Sequence, residues 1–222
     1  MVEISNWKVY DLEESVIASR NAMRLSPPEY TTEEFEKSLN RAITLAEAKS
    51  GSGHDNWLKG VRVSFDIKYP QYFSPELQRY NFMDIVTSAS KMHRLIQMDL
   101  DVTCNKYVTE TTIKEMKMHI AKYNFIKDMK DEEFGGACFP LRDGTEIYVQ
   151  EKQEALYYAF MMCVSNCPMG LELFMRCSSN YLQLKTIYHQ RKKHKLKEDW
   201  REAFCQNFIE QLPYAKEFIC GK

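Results

Sequence analysis

The stretch "GVRVSFDIKYP" constrains the fold of this chain most tightly. Val61, Val63, Phe65 and Ile67 alternate with Arg62, Ser64, Asp66 and Lys68. Successive side chains of a β-strand point to opposite faces, so a period of two specifies a strand with one apolar and one polar face. Pro70 ends it, because proline has no N–H to give to a ladder. The apolar face needs a cover, and the rest of the chain has to supply it.

Most of the remaining chain reads as helix. A short strand, "NWKVYD", precedes "DLEESVIASRNAMRL", which has helical spacing and an acidic first turn. Thr31 or Thr32 caps a second helix with the apolar stripe Phe35, Leu39, Ile43 and Ala46. The glycines of "KSGSGHDN" break it. Ser74 is the expected N-cap of a short helix with Pro75 in its first position, which puts Arg79 about one turn inside. A helix is expected from Thr111 to Met129, with Ile113, Met116, Ile120 and Tyr123 on one side. "FPLRDGTEIYV" reads as a hairpin turning at Asp143 and Gly144. Two helical segments finish the chain, Glu151 to Val164 and Leu171 to Leu212. In the second, Trp200, Phe204, Phe208 and Leu212 form a buried stripe that Pro213 ends. Strands and helices without regular βαβ alternation give an α+β fold, a small sheet packed with several long helices.

Composition excludes several function classes. A formal net charge of −1 lacks the basic field of a general nucleic-acid binder; the longest basic run is "RKKHKLK", from Arg191 to Lys197. Seven irregularly spaced cysteines do not form a disulfide framework and read as reduced, mostly buried thiols. The histidines have no metal-type spacing, so no metal is expected. No signal peptide opens the chain and no run of 18 apolar residues occurs, which fits a soluble cytoplasmic protein without a membrane partner. Neither a Rossmann glycine motif nor a P-loop is present.

One helix carries the most informative polar pattern. If "NYLQLKTIYHQR" is helical, Arg191 returns to within about 20° of Asn180 and lies roughly 16 Å along the axis. Leu184 and Tyr188 share that stripe. Such a face is either a core-facing helix with polar ends in solvent, or the lining of a cleft for an extended, anionic ligand. Arg79, Ser88 and Ser90 cluster in "RYNFMDIVTSASKMH", where they either solvate a loop or hold a ligand.

The stretch "GHDNWLKGVRVSFDIKYP" resembles the flavin-dependent thymidylate synthases, which have G-H-E-T/S-x-x-E-H, then a strand and a proline. "ELQRYNFMDIVTSASKMH" fills the place of that family's R-Q-x-x-R-H-R and E-x-S-x-R-Y elements. "PMGLELFMRCSSNYLQLKTIYHQRKKH" matches its L-P and N-x-R-S-L region without a gap, and "SVIASR" faintly matches an A-x-R-x-S element. The matches cover most of the chain outside residues 101–153, a divergent segment expected to hold a helix and the hairpin. The resemblance implies one domain over 1–222, a homotetramer, bound FAD and a small-molecule nucleotide ligand.

Residue by residue, the resemblance gives Arg79, Ser88, Ser90 and Arg191 to the nucleotide, with Arg79 touching the flavin as well. It gives His54, Asn56, Tyr80, Asn81, Asn180 and Tyr188 to the cofactor, with Tyr80 and Tyr188 as stacking rings. Departures accompany the matches. R-H-R has become Arg79-Tyr80-Asn81, the family glutamate is Ser88, and two arginines are Met92 and Leu182. The activity these changes imply is that of a flavin-dependent methyl or one-carbon transferase on a pyrimidine nucleotide, with altered specificity and poor deoxyuridylate binding. The alternative is a non-catalytic relative that binds a nucleotide or a protein partner.

Overall fold

The alternating stretch forms a strand over Arg62–Pro70, with Val61, Val63, Phe65 and Ile67 fully buried. The computed structural model describes residues 1–49 and 51–221; position 50, in the glycine-rich break, and position 222 lie outside the described residues. One compact unit holds Met1–Ser88 with Phe174–Lys222, and a second holds Ala89–Leu173.

The chain enters the first unit as β1 (Glu3–Tyr10), α1 (Leu12–Ala18), α2 (Thr32–Ala46), β2 (Arg62–Pro70), α3 (Ser74–Leu77) and β3 (Asp84–Ser88). It continues through α4 (Lys91–Arg94), α5 (Leu100–Thr103), α6 (Glu110–Asp128), β4 (Ala137–Pro140), β5 (Glu146–Val149) and α7 (Lys152–Ser165). Then come β6 (Glu172–Asn180) and α8 (Tyr181–Arg191), and π-helical turns over Lys197–Gln206 and Lys216–Cys220.

The main sheet has the order β1-β2-β6-β3, with β1 antiparallel to β2 and β3 antiparallel to β6. Its covered face presents Val63, Phe65 and Ile67 from β2 and Met175, Cys177 and Ser179 from β6. Aromatic rings pack there: Phe65 lies 4.7 Å from Phe208, Phe73 lies 4.3 Å from Trp200, and Trp200 lies 5.1 Å from Phe204. The four-residue ladder is therefore core, with Trp200, Phe204, Phe208 and Leu212 all buried. Its first turns are wound with the wider i→i+5 bonding of a π-helix. On the opposite face, β1 bulges between Ser5 and Lys8, where Asn6 takes φ 50°. Asn6 Nδ2 donates to Asp66 at 2.8 Å, and Arg176 donates to Asp66 at 3.0 Å. These bonds, the Asn6 one foremost, hold the Asp66 carboxyl below its usual range.

The second unit has two cores of its own. Leu95, Leu100, Met116, Cys163 and Leu171 form one, with Ile113, Ile120 and Tyr123 packed against it as the α6 pattern predicts. Ile126, Phe139, Val149, Ala155 and Ala159 form the other, beneath the β4–β5 hairpin. The hairpin turns at Asp143 and Gly144, where Gly144 takes φ +84° and Asp143 accepts from the Thr145 backbone and hydroxyl. The helix and hairpin expected within 101–153 both lie here.

Several expectations need correction. Residues 172–180 are strand, not helix: Met175, Cys177 and Ser179 point inward while Phe174, Arg176 and Ser178 do not, a period of two. Ser74 is not the N-cap of α3. A 3₁₀ turn over Gln71–Phe73 leads straight into it, so Phe73 holds the cap position and Ser74 is already helical. The helix then ends at Leu77, which leaves Arg79 beyond it. α1 stops at Ala18 and only a 3₁₀ turn, Asn21–Met23, follows. β1 begins earlier than expected, at Glu3. In α2, capped by Thr31, the fully covered positions are Ser38, Ala42 and Ala46, with Phe35, Leu39 and Ile43 half-buried beside them.

Candidate functional site

Helix α8 organises the polar groups of the first unit. Asn180 precedes the helix in extended conformation (φ −141°, ψ 165°), and its side-chain oxygen accepts from Gln183 N at 2.9 Å. It is thus an N-cap, because that oxygen satisfies one of the four orphan donors of the first turn. Leu184 and Ile187 are buried below it.

At the other end of α8 lies a dense network. Arg191 Nε donates to Tyr80 Oη at 2.8 Å and Nη1 donates to Glu76 Oε2 at 3.1 Å. Tyr80 Oη in turn donates to Gln190 Oε1 at 3.0 Å. The same Glu76 oxygen accepts from Trp200 Nε1 at 2.7 Å and lies 3.6 Å from His194 Nε2. The guanidinium carbon of Arg191 sits 4.7 Å from the Trp200 ring and 5.6 Å from that of Tyr80. Burial holds the His194 imidazole below its ordinary pKa, partly offset by Glu76. An arginine with a carboxylate, a phenol and two aromatic rings around it is fixed in place.

The structure brings together only some of the ten residues singled out from the sequence. Tyr80 and Arg191 meet directly, and Arg79 and Asn81 flank Tyr80 on an exposed loop. Among the described residues, neither of those flanking side chains has a hydrogen-bond or ion-pair partner. His54 and Asn56 are exposed in the loop before β2, and His54 N donates weakly to Ser52 Oγ at 3.5 Å. Ser88 is exposed at the end of β3, opposite Met175. Ser90 belongs to the second unit and caps α4, accepting from His93 N at 3.4 Å. Asn180 and Arg191 stand at opposite ends of α8. Of the two expected stacking rings, Tyr80 is buried and edge-on to Trp200, while Tyr188 donates to Glu210 at 3.0 Å with Lys192 5.2 Å above its ring. Burial and Glu210 together push the Tyr188 phenol well up.

Sequence reasoning missed Glu76, Trp200 as a hydrogen-bond donor, and a second charged pair. Lys185 Nζ donates to Asp55 Oδ2 at 2.8 Å and to Ala46 O at 2.7 Å, with side-chain exposures of 12% and 2% for Lys185 and Asp55. A lysine between Leu184 and Ile187 was the available signal, since a cation beside a buried stripe needs a partner. Lys185, but not Asp55, lines an open cavity of about 530 Å³, together with His189, Glu217, Phe218 and Ile219. His189 Nε2 lies 3.1 Å from Ile219 O, and burial holds its imidazole below the ordinary value.

None of these groups pairs a nucleophile with a base. All seven cysteines are free; burial pushes Cys177 and Cys205 to about 12 and Cys104 and Cys163 to about 11, so these thiols stay protonated at neutral pH. Among the described residues, no cluster of three metal-ligating side chains occurs, and no helix is long and apolar enough to cross a membrane.

The fold has counterparts among solved structures. One is the flavin-dependent thymidylate synthase ThyX from Helicobacter pylori complexed with FAD and dUMP, with a TM-score of 0.55 and 14% identity over 98% of this chain and 96% of that one. Another is ThyX of the same organism with FAD and dUMP, with a TM-score of 0.54 and 14% identity over 99% and 97% of the two chains. The chain therefore has the α+β fold of ThyX. No family model and no curated protein matches the sequence.

Proposed function

We propose that this protein binds a flavin nucleotide and acts with it on a pyrimidine ligand, with a specificity different from that of thymidylate synthase. The observation that carries this reading is the fold likeness. It extends over 98% of this chain and 96% of a structure that holds FAD and dUMP. The donor chemistry of the exposed loops fits such a ligand. Arg79 is an exposed guanidinium without an internal partner, and Asn81, Asn56 and His54 offer further exposed donors. Arg79, Asn81 and His54 would hold the phosphates of the flavin nucleotide, and Ser88 would donate to the pyrimidine. A bound flavin supplies hydride chemistry that none of the buried thiols or histidines of this chain offers; the protein's part is to bind and orient. Exposed Phe82, Val86 and Phe174 on the first unit support the homotetramer that the resemblance implies.

A second reading is a non-catalytic relative that binds a nucleotide or a protein partner, and one observation favours its protein-partner form. Glu76 neutralises Arg191, which removes a cation from phosphate recognition. Absorption spectroscopy of the purified protein separates the two. The first reading expects the near-ultraviolet and visible bands of a bound flavin; a colourless protein that still binds a nucleotide would leave only the second.

A further inference from the structure

Glu76 stands where it controls the charge of the α8 end of the site. Its Oε2 is fixed by three neighbours: Trp200 Nε1 at 2.7 Å, Arg191 Nη1 at 3.1 Å and His194 Nε2 at 3.6 Å. Arg191 has a second N–H occupied by Tyr80 Oη at 2.8 Å. Two of the guanidinium nitrogens, Nη1 and Nε, are thus engaged by groups of the protein itself, and a phosphate here would share the guanidinium with a carboxylate. Side-chain exposures of 14% for Arg191 and 27% for Glu76 limit screening by salt and water. The Trp200 and Tyr80 rings, 4.7 Å and 5.6 Å from the guanidinium carbon, keep it from swinging out toward a ligand. A phosphate dianion arriving here meets a neutralised arginine and an adjacent carboxylate, and like charges repel. The other polar neighbours are the neutral Gln190 and His194, whose Nε2 lies 3.6 Å from the Glu76 oxygen.

We propose that Glu76 is a specificity-determining residue, an internal anion that occupies Arg191 so that the accepted pyrimidine carries no phosphate at this position. The substrate class is then an uncharged pyrimidine nucleoside or base. This rests on the reading that the site takes a pyrimidine. Recognition of the pyrimidine falls to neutral hydrogen bonds such as the exposed Ser88 hydroxyl offers.

Calorimetry with deoxyuridine, deoxyuridylate and inorganic phosphate tests it, on the wild-type protein, on E76Q and on an E76Q/R191Q double variant. E76Q removes the charge but keeps an oxygen that accepts from Trp200. The wild type is expected to bind deoxyuridine at least about tenfold more tightly than deoxyuridylate. In E76Q, affinity for deoxyuridylate and for phosphate rises about tenfold or more while deoxyuridine binding is unchanged, and the added R191Q removes the gain. The proposal is overturned if the wild type prefers deoxyuridylate or binds no pyrimidine. A folded E76Q, with native circular dichroism, that shows no gain also overturns it. If E76Q does not fold, the two wild-type titrations decide alone. Yellow protein that binds no pyrimidine defeats this proposal and leaves flavin binding standing; colourless protein that prefers deoxyuridine does the reverse.

Discussion

Replacing Asp55 with alanine lowers the stability of the protein by about 3–5 kcal/mol, the range for removing one partner of a buried ion pair. Asp55 is almost wholly buried, and its carboxylate lies 2.8 Å from Lys185 Nζ. The pair joins the loop before β2 to the middle of α8, and Lys185 also ties the end of α2 through Ala46 O at 2.7 Å. Without the carboxylate, the ammonium, 12% exposed at the edge of the open cavity, keeps only a carbonyl as its partner in the protein. Most of the loss is therefore the cost of an uncompensated charge, not the net worth of the pair. Urea unfolding of Asp55→Ala, Lys185→Met and the double variant distinguishes these. Each single change should be severe, and the double variant should recover much of the loss. Single losses below about 1 kcal/mol would show that the pair behaves like a solvent-exposed one.

Trp200→Ala should cost about 3–5 kcal/mol, as for other large aromatic deletions from a core. Trp200 is fully buried, packs 4.3 Å from Phe73 and 5.1 Å from Phe204, and donates its indole N–H to Glu76 at 2.7 Å. Its removal opens a cavity and unpins Glu76 at once. Trp200→Phe keeps most of the volume and loses only the N–H, so it should cost clearly less than Trp200→Ala. Thermal unfolding of the two variants measures the difference. Equal, small losses would mean that the ladder residues pack too loosely to be the core of the first unit.

Much of this core was readable in the sequence, because it is written in local periodicity. The β2 alternation named Val61, Val63, Phe65 and Ile67, all fully buried, and the four-residue spacing named Trp200, Phe204, Phe208 and Leu212. β6 was missed because "LELFMRCSSN" runs directly into α8, and the apolar residues of a short strand beside a helix do not reveal where one period gives way to the other. The partners of the polar side chains were less legible. Helix phase put Arg191 on the stripe of Asn180, Leu184 and Tyr188, and its side chain is drawn in to 14% exposure. The group that draws it there, Glu76, lies 115 residues away in sequence. No local pattern distinguishes that glutamate from an ordinary acidic residue in a first helical turn. The same holds for Tyr80, whose ring was expected to be available and is instead held between Arg191, Gln190 and Trp200. Tertiary partners decide whether a polar side chain is a ligand contact or an internal tie, and those partners are invisible in one dimension.

Flavin binding is the central claim, and titration of the flavin-free protein with FAD, followed by flavin fluorescence, tests it most directly. The account predicts saturable binding with one FAD per chain, weakened about tenfold or more by Arg79→Ala, the loss of one charge-assisted contact. Fluorescence that changes only in proportion to added FAD, with no saturation and no response to Arg79→Ala, would contradict it.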